Sequence, residues 1–400
     1  MKDIPLEASL PGPSYTSERE FAREREAVLF ADWFCVGRTE ALADPGHYLA
    51  VDVAGESILV VRGAGGELAG FYNLCRHRGC RLLPAAGARP AASLEPSGHA
   101  GGSIRCPYHG WTYGLDGLLR SAPFLPDLRR YRDQLALHPV EVATWGGFVF
   151  VRLGPSAERQ DVAERPSLAH HLDGADRRLA RYPLADLRTA ARLVYRVAAN
   201  WKVICENYNE CYHCGPVHPE LCDLVPEFRR GGGSGLDWDA GIPHREGART
   251  FTLTGTTSRA PFPGLSESDV ATHRGELVLP NLMLSLASDH VAAFTLWPHD
   301  AGHTTVVCDF LFHPDEMALA GFDPSDAADF WDLVNRQDWS VCEQVQDGMG
   351  SRMFTAGYMA PMEQPSADVA RYVTRRLGGR PARPADAAAG HPAQPSDPCR

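Results

Sequence analysis

The chain has 400 residues, 44% of them hydrophobic and 22% charged, enough to bury a sizeable core and to form two or three domains. Its formal charge of −11 excludes the broad basic face that phosphate neutralisation demands, so no nucleic-acid partner is expected. No apolar run approaches the roughly 20 residues that span a bilayer, and the acidic opening "MKDIPLEASLPGPSYTSERE" lacks the apolar core of a secretory signal. Eleven cysteines, several of them beside histidines, read as reduced thiols and metal ligands of a cytoplasmic protein rather than as a disulfide framework.

From the N-terminus, "SEREFAREREAVLFADWFCVG" (17–37) opens with Ser and acidic residues and continues with helical apolar spacing, which predicts one amphipathic helix over most of it. It forms the greater part of an N-terminal helical segment, 1–39, expected to join the later domain. From residue 40 the pattern becomes short alternating apolar runs broken by glycines, continuing through "GGFVFVRLG". A small all-β domain is expected over 40–155. A charged connector follows. After it come the strand-like "RLVYRVAAN", the helix-like "WKVICENYNECYHCGPVHPEL", and strand-like runs in "RTFTLTG", "GELVLPNLMLSLASDH", "VAAFTLWP" and "HTTVVCDFLFH". A long helix over "SDAADFWDLVNRQDWSVCEQVQDGMGS" is opened by Pro324 and Ser325. This is an α+β domain over 156–377, one antiparallel sheet with helices gathered against it. The Pro/Ala-rich tail 378–400 reads as disordered.

Two loops of the β domain carry "CRHRGC" and "CPYHGW". Cys75, His77, Cys106 and His109 offer two thiolates and two imidazoles, which zinc could take as a closed structural site. Each loop contributes one Cys and one His, however, and that pairing suits a cluster with two inequivalent irons. The flanks and spacing resemble the Rieske [2Fe–2S] domains of bacterial ring-hydroxylating oxygenases. In respiratory Rieske proteins a disulfide joins the positions of Cys80 and Tyr108; Tyr108 leaves Cys80 without that partner, so the resemblance is to the low-potential oxygenase type. The Ala/Gly/Ser/Pro-rich stretch between the loops is longer than most relatives carry and reads as an inserted surface loop.

Further on, His213 and His218 lie five residues apart, and two histidines with one carboxylate form the facial set of non-heme Fe(II) oxygenases. With the Rieske motif, this segment and the final helix make the chain resemble the oxygenase (alpha) component of the Rieske non-heme iron oxygenase family. That resemblance implies a helix-grip, START-like catalytic domain and a third iron ligand in an Asp-x4-Glu-x-x-Gln context. "QDWSVCEQVQ" supplies Asp338, Glu343 and Gln346, with Asp332 and Asp347 as competitors. It also implies that Glu210 bridges the mononuclear iron site to a cluster histidine of a neighbouring subunit in a head-to-tail homotrimer, where most aromatic-ring dioxygenases carry Asp.

The chain has no G-x-G-x-x-G strand–turn–helix fingerprint and no plant-type ferredoxin cysteine spacing, so electrons from NAD(P)H must arrive through a separate flavin/iron–sulfur reductase, with or without a ferredoxin. The implied reaction consumes O2 and hydroxylates a small organic substrate. The "ENYNECYHC…HPEL" stretch with Glu210 resembles the subgroup acting on quaternary ammonium compounds such as glycine betaine, stachydrine and carnitine, so the first expectation is N-demethylation or C–H hydroxylation of a quaternary or tertiary amine. Phe251, Phe294, Trp297, Phe310 and Phe312 are candidates for cation–π contact, with core packing as the competing role of each. Ring hydroxylation of an aromatic or natural-product substrate is a second expectation. A Rieske electron carrier without catalytic iron is a third.

Overall fold

The computed structural model describes residues 6–84, 97–154 and 165–379. Residues 85–96 of the long inter-loop stretch and 380–400 of the tail lie outside these residues. The expected α+β architecture is present. A seven-stranded antiparallel sheet runs in the spatial order Phe34–Arg38, Phe148–Arg152, Pro139–Trp145, Leu68–Tyr72, Glu56–Arg62, His47–Val53 and Ser97–His99. A three-stranded sheet, Ser103–Arg105, Thr112–Gly114 and Leu119–Ser121, packs beside it. Between them lies an apolar cluster of Tyr48, Leu59, Val61, Ile104, Tyr113 and Leu119, which encloses Cys75 and Cys106.

The second half is a six-stranded antiparallel sheet in the order Arg188–Val197, Thr304–Phe312, Val291–Pro298, Leu282–Leu286, Thr272–Val278 and Ile242–Pro243. Its central strands are apolar on both faces, and the period-two alternation sorts them. Ala292, Phe294 and Leu296 join the core that holds the helix Ser325–Met349. Val291, Ala293, Leu284 and Leu286 pack instead against Phe148, Phe150, Leu168 and Leu179 on the other side. The helix buries Ala327, Phe330, Trp331, Val334, Asn335, Trp339 and Cys342, a stripe at helical spacing that also places Asp338 toward the sheet side.

Three expectations change. The 17–37 helix ends early: a helix over Glu18–Glu24 loosens into a wider i→i+5 turn over Arg25–Leu29, and Phe34–Arg38 is a strand paired with Phe148–Arg152. The apolar "FCVG" run satisfies a sheet edge better than a helix face. "RTFTLTG" is a loop, because its hydroxyls bond locally and across: Thr250 to Asp289, and Thr252 to the Thr256 carbonyl at 2.9 Å, while Gly255 turns at a φ of 75°. "WKVICENYNECYHCGPVHPEL" is three helices, Trp201–Tyr208, Cys214–Val217 and Pro219–Leu224. Pro219 forces His218 out of the helical region, to φ −120° and ψ 71°.

Three further elements were not expected from the sequence. Glu7–Pro11 pairs with Ala356–Met359, and the helix Gln364–Arg376 closes over Trp201–Tyr208. No helix among the described residues is long and apolar enough to cross a membrane.

Candidate iron centres

The loops 75–80 and 106–111 share one backbone design. In each, the cysteine N–H donates to the carbonyl five residues on (Cys80 O at 2.8 Å, Trp111 O at 2.7 Å), and the glycine four residues on donates back to the cysteine carbonyl. Gly79 and Gly110 adopt φ of 71° and 72°, the left-handed turn that closes each loop. Cys75 and Cys106 are buried, whereas His77 and His109 are exposed. The imidazole ring centroids lie 4.6 Å apart, and His77 stacks on Trp111 at 4.8 Å. Tyr113 places its hydroxyl 3.3 Å from Cys75 Sγ. Burial pushes the Cys75 thiol up. Burial alone would raise Cys106 too, but the Tyr108 and His109 N–H groups and the neighbouring thiols of Cys75 and Cys80 outweigh it and lower its pKa. Two inner sulfurs and two outer nitrogens are the asymmetric donor set that a cluster with one thiolate-bound and one imidazole-bound iron requires.

The second group joins residues far apart in sequence. His213 and His218 flank the short helix Cys214–Val217, and Asp338 projects from the long helix. Asp338 Oδ1 stands 2.9 Å from His218 Nε2 and 3.3 Å from His213 Nε2, and the three ligand atoms lie within 4.8 Å of one another. Two imidazoles and one carboxylate converging on one point fit a divalent iron with open positions. The competitors point elsewhere. Asp332 accepts from Tyr195 and Arg336, each at 2.8 Å, and Asp347 is exposed. Glu343 and Gln346 instead brace the helix, accepting the N–H groups of Ala198 and Asn200, each at 3.0 Å.

Each histidine has a backing acceptor. Glu210 Oε1 lies 2.6 Å from His213 Nδ1, and its Oε2 accepts the N–H groups of Tyr212 and His213, which sets the loop between the helices. Gln337 Oε1 lies 2.7 Å from His218 Nδ1, with its amide nitrogen donating to Glu220 at 3.0 Å. Both contacts fix the ring so that Nε2 points at Asp338. Sequence reasoning missed Gln337, although its place beside Asp338 on one helix was the available signal. Burial opposes charge on His213, but Asp338 and Glu210 outweigh it and push its pKa up to about 11; Asp338 is held down at about 2 by the two histidines against its own burial. The pocket is thus a negative hole suited to a cation.

A cavity of about 940 Å³ opens on this group. Tyr208, Phe228, Trp238, Phe251 and Trp331 line it. Of the aromatics expected from sequence, only Phe251 does. Phe294, Phe310 and Phe312 are core, and Trp297 packs edge-on against Phe34 at 5.5 Å.

Two family models match the chain: "Rieske [2Fe-2S] domain" over 32–132, and "Ring hydroxylating alpha subunit (catalytic domain)" over 184–379. The carnitine monooxygenase oxygenase subunit of Acinetobacter baumannii is 31% identical, over 86% of this chain and 86% of its own. The chain belongs to the Rieske ring-hydroxylating oxygenase family. The glycine betaine monooxygenase oxygenase subunit of Pseudomonas aeruginosa is 29% identical over 87% of this chain and 84% of its own. Among solved structures, the quaternary ammonium Rieske monooxygenase CntA in complex with L-carnitine superposes with a TM-score of 0.70 at 26% identity, covering 94% and 97% of the two chains. Naphthalene 1,2-dioxygenase from Rhodococcus, at 18% identity and a TM-score of 0.67, shares the fold. As a member of this family the chain is an oxidoreductase, with a Rieske [2Fe–2S] cluster and a mononuclear non-heme iron, working on O2 with electrons from NAD(P)H through a separate reductase.

Proposed function

We propose that this protein is the oxygenase component of a monooxygenase that hydroxylates an N-methyl group of a small quaternary or tertiary amine. The observation that carries the reading is the His213–His218–Asp338 group at the wall of a cavity lined by aromatic side chains, among them Tyr208, Phe228, Trp238, Phe251 and Trp331. Aromatic faces attract an ammonium head through the ring quadrupole, and the relatives acting on carnitine and glycine betaine support that substrate class. Cys75, Cys106, His77 and His109 would hold the cluster. His213, His218 and Asp338 would hold the iron.

When bound, the two centres would pass two electrons from the reductase and supply the oxidising chemistry that places one oxygen atom of O2 on a C–H carbon, the other leaving as water with two protons. The chain's own residues do the rest. Glu210 and Gln337 hold the hydrogens of His213 and His218 on Nδ1, so that each Nε2 is free to coordinate. Phe251 and Trp331, their rings edge-on with centroids 5.0 Å apart, give the cavity an apolar wall that would shield a bound N-methyl group from water. The hydroxylated N-methyl group collapses to formaldehyde and the demethylated amine, with a proton released from a quaternary substrate.

The working assembly in this reading is a homotrimer in which Glu210 also receives a hydrogen bond from His109 of a neighbouring copy. Exposed His77, His109 and Tyr108 support it, as does the inter-subunit electron transfer described for a related quaternary ammonium monooxygenase. Ten unpaired cysteines among the described residues support a reducing, cytoplasmic location. The domain division is proposed at about residues 39 and 155, with the strand Phe34–Arg38 assigned to the first sheet.

The test is incubation with carnitine or glycine betaine, a Rieske-type reductase and NADH, following O2 uptake and formaldehyde. Formaldehyde equal to O2 consumed is expected. Turnover of an aromatic hydrocarbon to a diol, with none of the amines consumed, overturns the reading.

A further inference from the structure

One wall of the same cavity carries an imidazole pair that the reaction described above does not use. His273, on the strand Thr272–Val278, is 4% exposed and lines the cavity. His244 stacks on it, with ring centroids 5.5 Å apart and planes 16° from parallel. Phe251 meets both rings edge-on at 5.2 and 4.8 Å, while Phe228 and Trp238 meet His273 edge-on at 5.2 and 5.7 Å. Within this housing Nδ1 and Nε2 of His244 and Nδ1 of His273 have no hydrogen-bond partner. A buried polar group left unpaired costs about 1–3 kcal/mol, and His273 is the ring of this pair that lines the cavity, so it is the one a bound ligand can reach.

The charge state narrows that function. Burial lowers the basicity of both rings, His244 to about 4 and His273 well below its usual value, the latter reinforced by His244 and Arg274. Neutral rings do not repel an ammonium substrate, and each offers one N–H and one lone pair. A carboxylate satisfies only an N–H. A hydroxyl donates and accepts through the same oxygen, so it satisfies a neutral imidazole in either tautomer.

We propose that His273 is a specificity-determining residue that hydrogen-bonds a hydroxyl on the carbon chain of the amine substrate, with His244 behind it as its positioning partner. This rests on the amine reading above, and the hydroxyl is what it adds. Two pairs of compounds differing only by a hydroxyl test it: choline against ethyltrimethylammonium, and L-carnitine against γ-butyrobetaine. Binding to the metal-loaded protein is titrated by calorimetry.

In at least one pair the hydroxylated member binds the unmodified protein about tenfold more tightly. His273→Phe weakens that member about tenfold and leaves its partner within about twofold. His273→Asn, which keeps a donor and an acceptor, restores part of the preference. Equal affinities within both pairs, or equal shifts of both members in His273→Phe, overturn the hydroxyl assignment and leave the amine reading standing. Binding of none of the four, with an aromatic hydrocarbon bound instead, overturns both. Circular dichroism and cluster absorbance confirm that each variant is folded; if His273→Phe fails that check, the comparison within the unmodified protein and His273→Asn decide.

Discussion

The loops 75–80 and 106–111 and the His213–His218–Asp338 group differ in what holds their side chains in place. The loops stand on backbone geometry: two matched turns, each closed by a left-handed glycine and by hydrogen bonds within six residues. The second group stands on charge and on partners distant in sequence. Asp338 meets histidines 120 and more positions away, and each histidine leans on a separate acceptor. A site built from local turns survives changes elsewhere in the molecule. One built across elements loses its geometry when any supporting element shifts. The two centres should therefore respond independently to substitution, and the second should be the more fragile.

The largest effects come from crossing first-contact substitutions between the regions. Asp338→Ala should lower mononuclear iron to near background and abolish turnover, leaving the cluster's visible absorbance unchanged. Cys106→Ser should do the converse, bleaching the cluster while iron bound at the other group persists. Metal analysis with absorbance checks both: about three irons per chain in the unmodified protein against about two in Asp338→Ala. Loss of both centres in either variant would break the independence.

Glu210→Gln comes next. The amide keeps the length but loses the charge on which His213 Nδ1 leans. Product formation should fall by about 100-fold with both centres still loaded. In stopped-flow measurements the cluster should be reduced at the normal rate and reoxidised slowly with substrate and O2. Normal reoxidation would remove Glu210 from the electron path, and loss of iron would make it a ligand.

Gln337→Leu sharpens the comparison at the other histidine. Without the amide oxygen 2.7 Å away, His218 keeps its burial but loses what sets its tautomer. Iron affinity should fall by about 10–100-fold and activity should return with excess Fe(II). Unchanged affinity would mean that packing alone orients the ring.

The same contrast explains what could be read from the chain. The cluster loops were legible because their signal is contiguous: cysteine, histidine and glycine within six residues. The alternating strands on either side were legible for the same local reason. His213 and His218 could be paired by spacing, whereas Asp338 needed the family's register to separate it from Asp332 and Asp347. Gln337 carries no motif of its own; beyond its place beside Asp338, its meaning depends on the long helix lying against His218. The helix Gln364–Arg376 was hidden by a start at Gln-Pro and a mean composition that reads as polar, although it buries Ala367, Val369, Ala370 and Val373. "RTFTLTG" failed the other way: its β-branched residues look like a strand, but Thr250 and Thr252 spend their hydroxyls on side-chain and carbonyl partners instead of a ladder.

The smallest effect lies beneath the second group, in the helix Trp201–Tyr208. Its buried face holds Lys202, paired with Glu24 at 2.7 Å, and Glu206, which accepts from Tyr15 at 2.8 Å. Burial pushes the Glu206 carboxyl up to about 7, against the Tyr15 bond and the charge of Lys202, which favour ionisation. The folded chain therefore binds this proton more tightly than the unfolded chain, where a glutamate titrates near about 4.3. With the folded pKa the higher one, the contribution is fully present below about 4.3 and is lost as pH rises through about 7. Between pH 5 and 8 the unmodified protein should lose at most about 3 kcal/mol of stability from this group. Glu206→Gln, neutral throughout, should show a correspondingly flatter melting temperature over that range. Cluster absorbance should be indifferent to the change, since no backbone turn of loops 75–80 or 106–111 depends on Glu206. Parallel melting profiles for the two proteins would place the carboxyl's titration outside the pH range tested and leave the second region less dependent on buried charge than its geometry implies.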